Sequence, residues 1–133
     1  MKFFATVAFL ALSLTAFAQQ PDNSEKEAKE YQESINAEVE RLEHNLELED
    51  WQVFYADSIL THDYNQMRLE LKDLSDAKIS NYDLYTEIQD KWVEQIYNSL
   101  HGILDESQWA KYQKMGALKA KKDRDKRAAK RIK

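Results

Sequence analysis

The chain has 133 residues with no cysteine, one proline and two glycines, and its formal net charge is −5. One small domain is the most that this length supports, and the scarcity of glycine and proline argues against a turn-rich β sandwich or barrel. Without cysteine the fold has no disulfides, so its stability must come from packing or from partners.

Residues 1–18 have the composition of a secretory signal peptide. Lys2 gives a short positive region, residues 3–14 are uncharged and mostly apolar, and a small-x-small cleavage signal ends at Ala18. A helix of that apolar length reaches roughly 18 Å, well short of the ~30 Å hydrocarbon core of a bilayer. We therefore expect cleavage after Ala18 and export to the periplasm or the cell exterior. A polar leader, residues 19–23, follows.

Residues 24–118 predict an all-α domain of about four amphipathic helices arranged in hairpins, elongated or cradle-like. In the first helix, apolar residues recur at steps of three and four residues from Ala28 to Leu46, which is helical periodicity. A second helix is expected to begin near Glu49 and Asp50 and to extend to about residue 74. Its expected inward stripe is Trp51, Phe54 or Tyr55, Ser58, Met67, Leu71 and Leu74, widened by Ile59, Leu60 and Tyr64.

The third helix is expected to follow a loop over residues 75–83 and to be capped by Asn81 or Asp83. Gly102 is expected to end it in a left-handed conformation, which glycine adopts at low cost. The fourth helix is expected to open at Asp105. The residues expected to face inward on these two helices are Leu84 or Tyr85, Ile88, Trp92, Ile96, Leu100, Trp109, Tyr112, Met115 and Leu118.

The basic tail, residues 119–133, differs sharply in composition from the rest. It has nine basic and two acidic residues, whereas residues 19–118 have nine basic and 22 acidic residues. Few of its residues are apolar and none could form a packed face. Even where the tail continues the fourth helix, it is therefore expected to be frayed or disordered. It is a solvated terminus, or an arm that contacts anionic lipid or an acidic protein surface. Its cations are Lys119, Lys121, Lys122, Arg124, Lys126, Arg127, Lys130, Arg131 and Lys133.

Two of the expected helix starts share a five-residue pattern. Residues 48–52 and 104–108 both read leucine, two acids, a variable residue and glutamine, with Leu48 and Gln52 in one copy and Leu104 and Gln108 in the other. In each copy the acids favour a helix N-terminus, and the glutamine lies one turn in, where its amide can bond back to the preceding loop.

With these motifs the chain resembles the Spy/CpxP family of periplasmic proteins, which carry a pair of LTxxQ motifs in an all-helical chain. The leucine and glutamine are kept in both copies here, whereas the threonine is replaced by Glu49 and Asp105. The resemblance implies a four-helix, cradle-shaped dimer that holds unfolded clients or takes part in envelope-stress sensing. Members of that family usually carry a basic concave surface, whereas the body of this chain is acidic.

The aromatic residues admit two interpretations. They form core or a dimer interface, or a partly exposed surface that grips unfolded chains while nearby charges keep the protein soluble. Long helices spread their apolar stripes over more length than a compact monomer can cover, so we expect a homodimer. The candidate partner-binding residues are Trp51, Phe54, Tyr55, Trp92, Trp109 and Tyr112.

The sequence does not predict an enzyme, a cofactor or a metal site. There is no cysteine nucleophile or glycine-rich phosphate loop, and the three histidines lack zinc-site spacing. Nucleic acid is disfavoured as a partner because the acidic body repels phosphates. The sequence thus favours a chaperone-like or stress-adaptor protein that binds unfolded or envelope proteins. The alternative is a structural envelope protein that docks through its basic tail on an anionic membrane or a partner.

Overall fold

A computed structural model of the chain describes residues 24–132. The expected signal peptide and the polar leader lie outside the described residues, as does Lys133. The described part is helical nearly throughout and contains no strand, which confirms the all-α prediction. Its helices are α1 (Ser24–Leu46), α2 (Asp50–Asp76), α3 (Tyr82–His101), α4 (Glu106–Tyr112) and α5 (Leu118–Ile132), with a π-helical turn at Gln113–Ala117 between α4 and α5.

The core lies between α1, α2 and α3, with α2 packed against both of the other helices. The α1 stripe is buried from Tyr31 to Leu46 at the predicted spacing, because its steps of three and four residues keep it on one face. The buried apolar cluster consists of Tyr31, Ile35, Val39, Leu42, Leu46, Ala56, Leu60, Ile96 and Leu100.

The inward face of α2 differs from the prediction in its first half. The buried residues there are Gln52, Ala56 and Leu60, so the helix is rotated by one residue, about 100°, from the expected stripe. Trp51 and Phe54 consequently face solvent. The prediction placed the apolar side chains inward. The structure instead buries Gln52, whose side-chain amide is hydrogen-bonded through both its nitrogen and its oxygen.

Two glutamines fix the starts of α2 and α4 side by side. Gln52 Nε2 donates to Gln108 Oε1 at 2.6 Å, and Gln108 Nε2 donates to Gln52 Oε1 at 3.1 Å. Each amide also bonds a backbone carbonyl shortly before the other helix. Gln52 Nε2 donates to the carbonyl of Ile103 at 2.8 Å, and Gln108 Nε2 donates to that of Leu46, the last residue of α1, at 3.3 Å. The two motifs therefore form one pseudo-symmetric junction.

Each glutamine also caps its own helix, as the sequence pattern indicates. The Glu49 backbone N–H donates to Gln52 Oε1 at 2.9 Å, and the Asp105 N–H donates to Gln108 Oε1 at 3.0 Å. Asp105 completes a capping box, because its carboxylate accepts the Gln108 N–H at 2.8 Å. Leu48 and Leu104 pack against the core beside these caps. The four motif residues thus hold the helices together rather than forming a free surface.

The loop geometry around the glycines also differs from the prediction. Asn81, one of the two expected caps, caps α3, and Gly102 ends the helix with a φ of −70° rather than in the predicted left-handed conformation. The glycine with positive φ is Gly116, at +117°, inside the π-helical turn. Its conformation bends the chain between α4 and α5, where a continuous helix would otherwise run on.

The basic tail is ordered as α5, so the prediction of fraying or disorder was wrong. Arg124 is only 5% exposed, and its Nε donates to Glu94 Oε1 of α3 at 3.0 Å. Arg127 makes a bidentate pair with Asp90, with both distances 2.8 Å, and Arg131 joins the same carboxylate at 2.8 Å. Ion pairs across two helices, rather than an apolar stripe, hold this segment in place.

The α3 carboxylates respond to this docking. Burial raises the pKa of Asp90, but hydrogen bonds from Arg127 and Arg131 outweigh burial and hold that pKa below its usual value. Burial likewise raises the pKa of Glu94, but hydrogen bonds from Lys121 and Arg124 outweigh burial and lower the pKa of that carboxyl overall. Both acids are therefore stabilised in their charged form by α5.

Candidate protein-binding surface

Three aromatic side chains lie exposed together at the start of α2. We call Trp51, Phe54 and Tyr55 the aromatic patch; they are 50%, 67% and 50% exposed. They share one face because they are spaced by three and four residues along the helix. The rotation of α2 that buries Gln52 is what turns this face outward.

The rings of the aromatic patch support one another. The Tyr55 ring lies edge-on to both neighbours, with centroid distances of 6.2 Å to Trp51 and 5.5 Å to Phe54. The Trp51 indole N–H donates to Glu49 Oε2 at 3.3 Å. Edge-to-face contacts of this kind favour a defined ring arrangement. The patch is thus a partly organised apolar surface rather than three unrelated side chains.

The surroundings of the aromatic patch are acidic. No lysine or arginine occurs from residue 42 to residue 67, whereas the same stretch has six acids. Glu47, Asp50 and Asp57 are exposed there, and none of them has a lysine or arginine partner among the described residues. This end of the molecule combines rings and carboxylates.

The other predicted partner-binding residues are not part of the aromatic patch. Trp92 donates its indole N–H to Glu70 Oε1 at 2.9 Å, and Lys91 lies over its ring. Trp109 stacks on His101 with ring centroids 3.9 Å apart and is edge-on to Tyr97. These rings are occupied by contacts within the chain.

Tyr112 is also engaged inside the fold. Its ring packs against the core cluster, and burial, aided by Glu38, raises the pKa of the Tyr112 hydroxyl to about 12. The structure thus divides the predicted set in half, with Trp51, Phe54 and Tyr55 available to a partner. The spacing of the six aromatic residues could not predict which are exposed and which are engaged within the chain, because all six fit helical stripes equally well.

The acceptors of the basic tail were not predicted from the sequence. Asp90 and Glu94 are four residues apart on α3 and face α5. A signal was available: Arg124, Arg127 and Arg131 recur at steps of three and four residues and so form one arginine face. That face predicts a helix with an acidic partner.

A second charged face lies on the opposite side of α5. Lys122, Lys126 and Lys130 recur every four residues, are exposed, and have no ion pair among residues 24–132. Lys119 continues this row but pairs with Asp123 at 3.0 Å. We call Lys122, Lys126 and Lys130 the lysine face.

Within the described residues, no group of three or more histidine, cysteine, aspartate or glutamate side chains is placed to hold a metal ion. No helix among residues 24–132 is both long and apolar enough to cross a membrane. Searches of protein-family models, of curated proteins and of solved structures found no match to this chain.

Proposed function

We propose that this protein is exported and non-enzymatic, and that it binds unfolded or partner proteins through the aromatic patch, as a chaperone or envelope-stress adaptor. The observation that carries the proposal is the exposure of Trp51, Phe54 and Tyr55 on one helix face. Exposed apolar patches on small proteins often mark interaction sites. The two motifs that resemble those of the Spy/CpxP family favour the same class of function.

The size of the patch favours weak and reversible binding. Three aromatic side chains at these exposures present roughly 300 Å² of mainly apolar surface. Covering it is worth about 7 kcal/mol at about 25 cal/mol per Å², which is comparable to the cost of association, about 4–15 kcal/mol. A holdase or adaptor, which must release its partner, fits this balance better than a permanent complex does.

Replacing Trp51, Phe54 and Tyr55 together by alanine is expected to reduce suppression of aggregation of an unfolded test protein about tenfold at near-equal ratios. Alanine keeps the helix propensity, and the rings are half exposed, so the fold should persist. Light scattering measures aggregation, and far-UV circular dichroism checks helix content. The matched control replaces the exposed Leu69, Tyr82 and Leu84 by alanine and should retain activity.

Equal loss of activity in the patch variant and the control, or full activity in the patch variant, would refute the proposal. Sedimentation tests the remaining explanation, which is that a second copy of the chain covers the patch. If the wild type sediments as a dimer and the patch variant as a monomer, the patch is the interface of the expected homodimer, not an open binding surface.

The lysine face favours a second candidate function, docking on an anionic membrane surface. Three unpaired lysines in one row contribute about 1 kcal/mol each near such a surface, roughly a hundredfold in binding. Replacing Lys122, Lys126 and Lys130 by glutamine should abolish sedimentation with vesicles containing phosphatidylglycerol. The same change at Lys26, Lys29 and Lys78 should have little effect. Absence of wild-type binding at low salt would end this alternative.

A further inference from the structure

The carboxylates around the aromatic patch restrict what it can bind. Asp50 and Asp57 lie four residues before and three residues after Phe54, so they are its neighbours on the helix surface. Glu47 lies in the turn before α2 with a positive φ of 52°, and it is exposed. An apolar ligand on the rings therefore contacts a rim of acids.

The junction of the two glutamines adds acids from a second helix. Because the Gln52 and Gln108 amides bond each other, the start of α4 lies beside the start of α2 and brings Asp105 and Glu106 to the same end of the molecule. Two helix N-termini supply roughly +0.5 charge each. The carboxylates at this end outweigh that contribution; they are Glu47, Glu49, Asp50, Asp57, Asp105 and Glu106.

The chain's own cationic segment does not neutralise this end. The arginines of α5 are bound to Asp90 and Glu94 of α3, and the lysine face points away from α3. Within residues 24–132, no salt bridge joins Glu47, Asp50, Asp57 or Glu106 to a lysine or arginine. The negative potential at the aromatic patch is therefore available to a partner.

From this combination we propose that the aromatic patch selects apolar segments that carry lysine or arginine, and discriminates against acidic segments. The inference rests on the proposed function and names the class of partner. Apolar side chains of such a segment cover the rings, while its cations meet the carboxylates or lie over the faces of Trp51 and Tyr55. Cation–π contact favours a cation over an exposed ring, and like charges across an interface disfavour binding.

Two short unstructured peptides with the same leucine, phenylalanine and serine positions test this. One carries flanking lysines, the other glutamates. Fluorescence anisotropy of the labelled peptides should show about tenfold tighter binding of the lysine peptide at low salt. The ratio should fall toward one near 1 M salt, where the Debye length is about 3 Å. Similar affinities at low salt would overturn the inference.

Charge variants locate the effect. Asp50→Asn, Asp57→Asn and Glu106→Gln together should bring the two affinities close to each other. The control Glu30→Gln, Glu33→Gln and Glu40→Gln on the exposed side of α1 changes the net charge equally and should leave the ratio unchanged. An equal effect of both triples would mean that net charge, not the rim, selects the peptide.

The aromatic patch variant separates this inference from the proposed function. If both peptides bind the wild type equally and lose binding when Trp51, Phe54 and Tyr55 become alanine, the patch binds proteins without charge selection and only the inference fails. If neither peptide binds the wild type, the proposed function fails. If the lysine peptide still binds the patch variant with full affinity, attraction to the acidic body alone explains binding, and the inference is wrong.

Discussion

Replacing Gln52 by alanine is expected to lower the free energy of unfolding by about 3 kcal/mol. Gln52 is only 3% exposed, and its side chain bonds the Glu49 N–H, the Ile103 carbonyl and the Gln108 amide. Removing it leaves several buried polar groups without partners, each of which costs about 1–3 kcal/mol when no water replaces the bond. Urea titration followed by circular dichroism measures the loss.

A glutamine on the same helix provides the control. Within residues 24–132 the Gln66 side chain makes no hydrogen bond, so Gln66→Ala should change stability by less than about 1 kcal/mol. Gln108→Ala should also destabilise the protein. The double variant should lose less than the two single losses added together, because each single change leaves the amide of the other glutamine without its partner and the double variant does not carry that cost. Additive losses would show that the two glutamines act independently.

Replacing Arg124 by alanine is expected to release α5 from α3. The guanidinium pairs with Glu94 and lies over the Tyr97 ring, 5.4 Å from its centroid. Breaking a buried pair costs about 3–5 kcal/mol; because Glu94 is partly exposed and keeps Lys121, we expect about 2 kcal/mol. Amide hydrogen exchange over residues 118–132 should therefore be roughly thirtyfold faster.

The exposed Lys122 supplies the control on the same helix, and Lys122→Ala should leave the exchange rates of α5 unchanged. Unchanged protection in the Arg124 variant would mean that the Asp90 pairs and the Lys121–Glu94 pair are sufficient to hold the helix. The pH dependence of α5 docking provides a second, independent check. Because the folded-state pKa values of Asp90 and Glu94 are lowered, docking should be complete above their ordinary values of 3.8 and 4.5 and should be lost as the pH falls below 3.8.

The helices themselves were predictable from local signals. Periodic apolar residues placed the buried face of α1. Capping residues placed the starts of α2 and α4 within one residue of Asp50 and Glu106, and one of the two predicted caps, Asn81, precedes α3. These signals act over one or two helical turns, so they can be read from neighbouring residues.

The errors have long-range causes. The rotation of α2 depends on Gln52 meeting Gln108, 56 residues away, and a buried glutamine carries no apolar signature. The order of α5 depends on Arg124 meeting Glu94 across 30 residues. In both cases a polar side chain is buried because its partner comes from another helix, and hydrophobic patterning assigns such a residue to the surface.

Which aromatic residues form the candidate site depends on the rotation of α2, the first feature that the sequence did not predict. All six aromatic residues were identified as partner-binding candidates, but only the rotation set by Gln52 determines that Trp51 and Phe54 are exposed. Similarly, the composition of the tail does not distinguish its lysines from its arginines, since both are cations. Only the position of the α3 carboxylates separates an arginine face that docks from a lysine face that does not.

The bend at Gly116 makes the length of the connection between α4 and α5 critical. One residue added or removed within 113–117 would turn α5 by about 100° about its axis. An aspartate would then stand where Arg124 now meets Glu94, and lysines, or an alanine and an isoleucine, would stand where Arg127 and Arg131 now meet Asp90. Residues 77–81 join α2 and α3 outside any helix, so a change in length should be accommodated there more readily than at this bend.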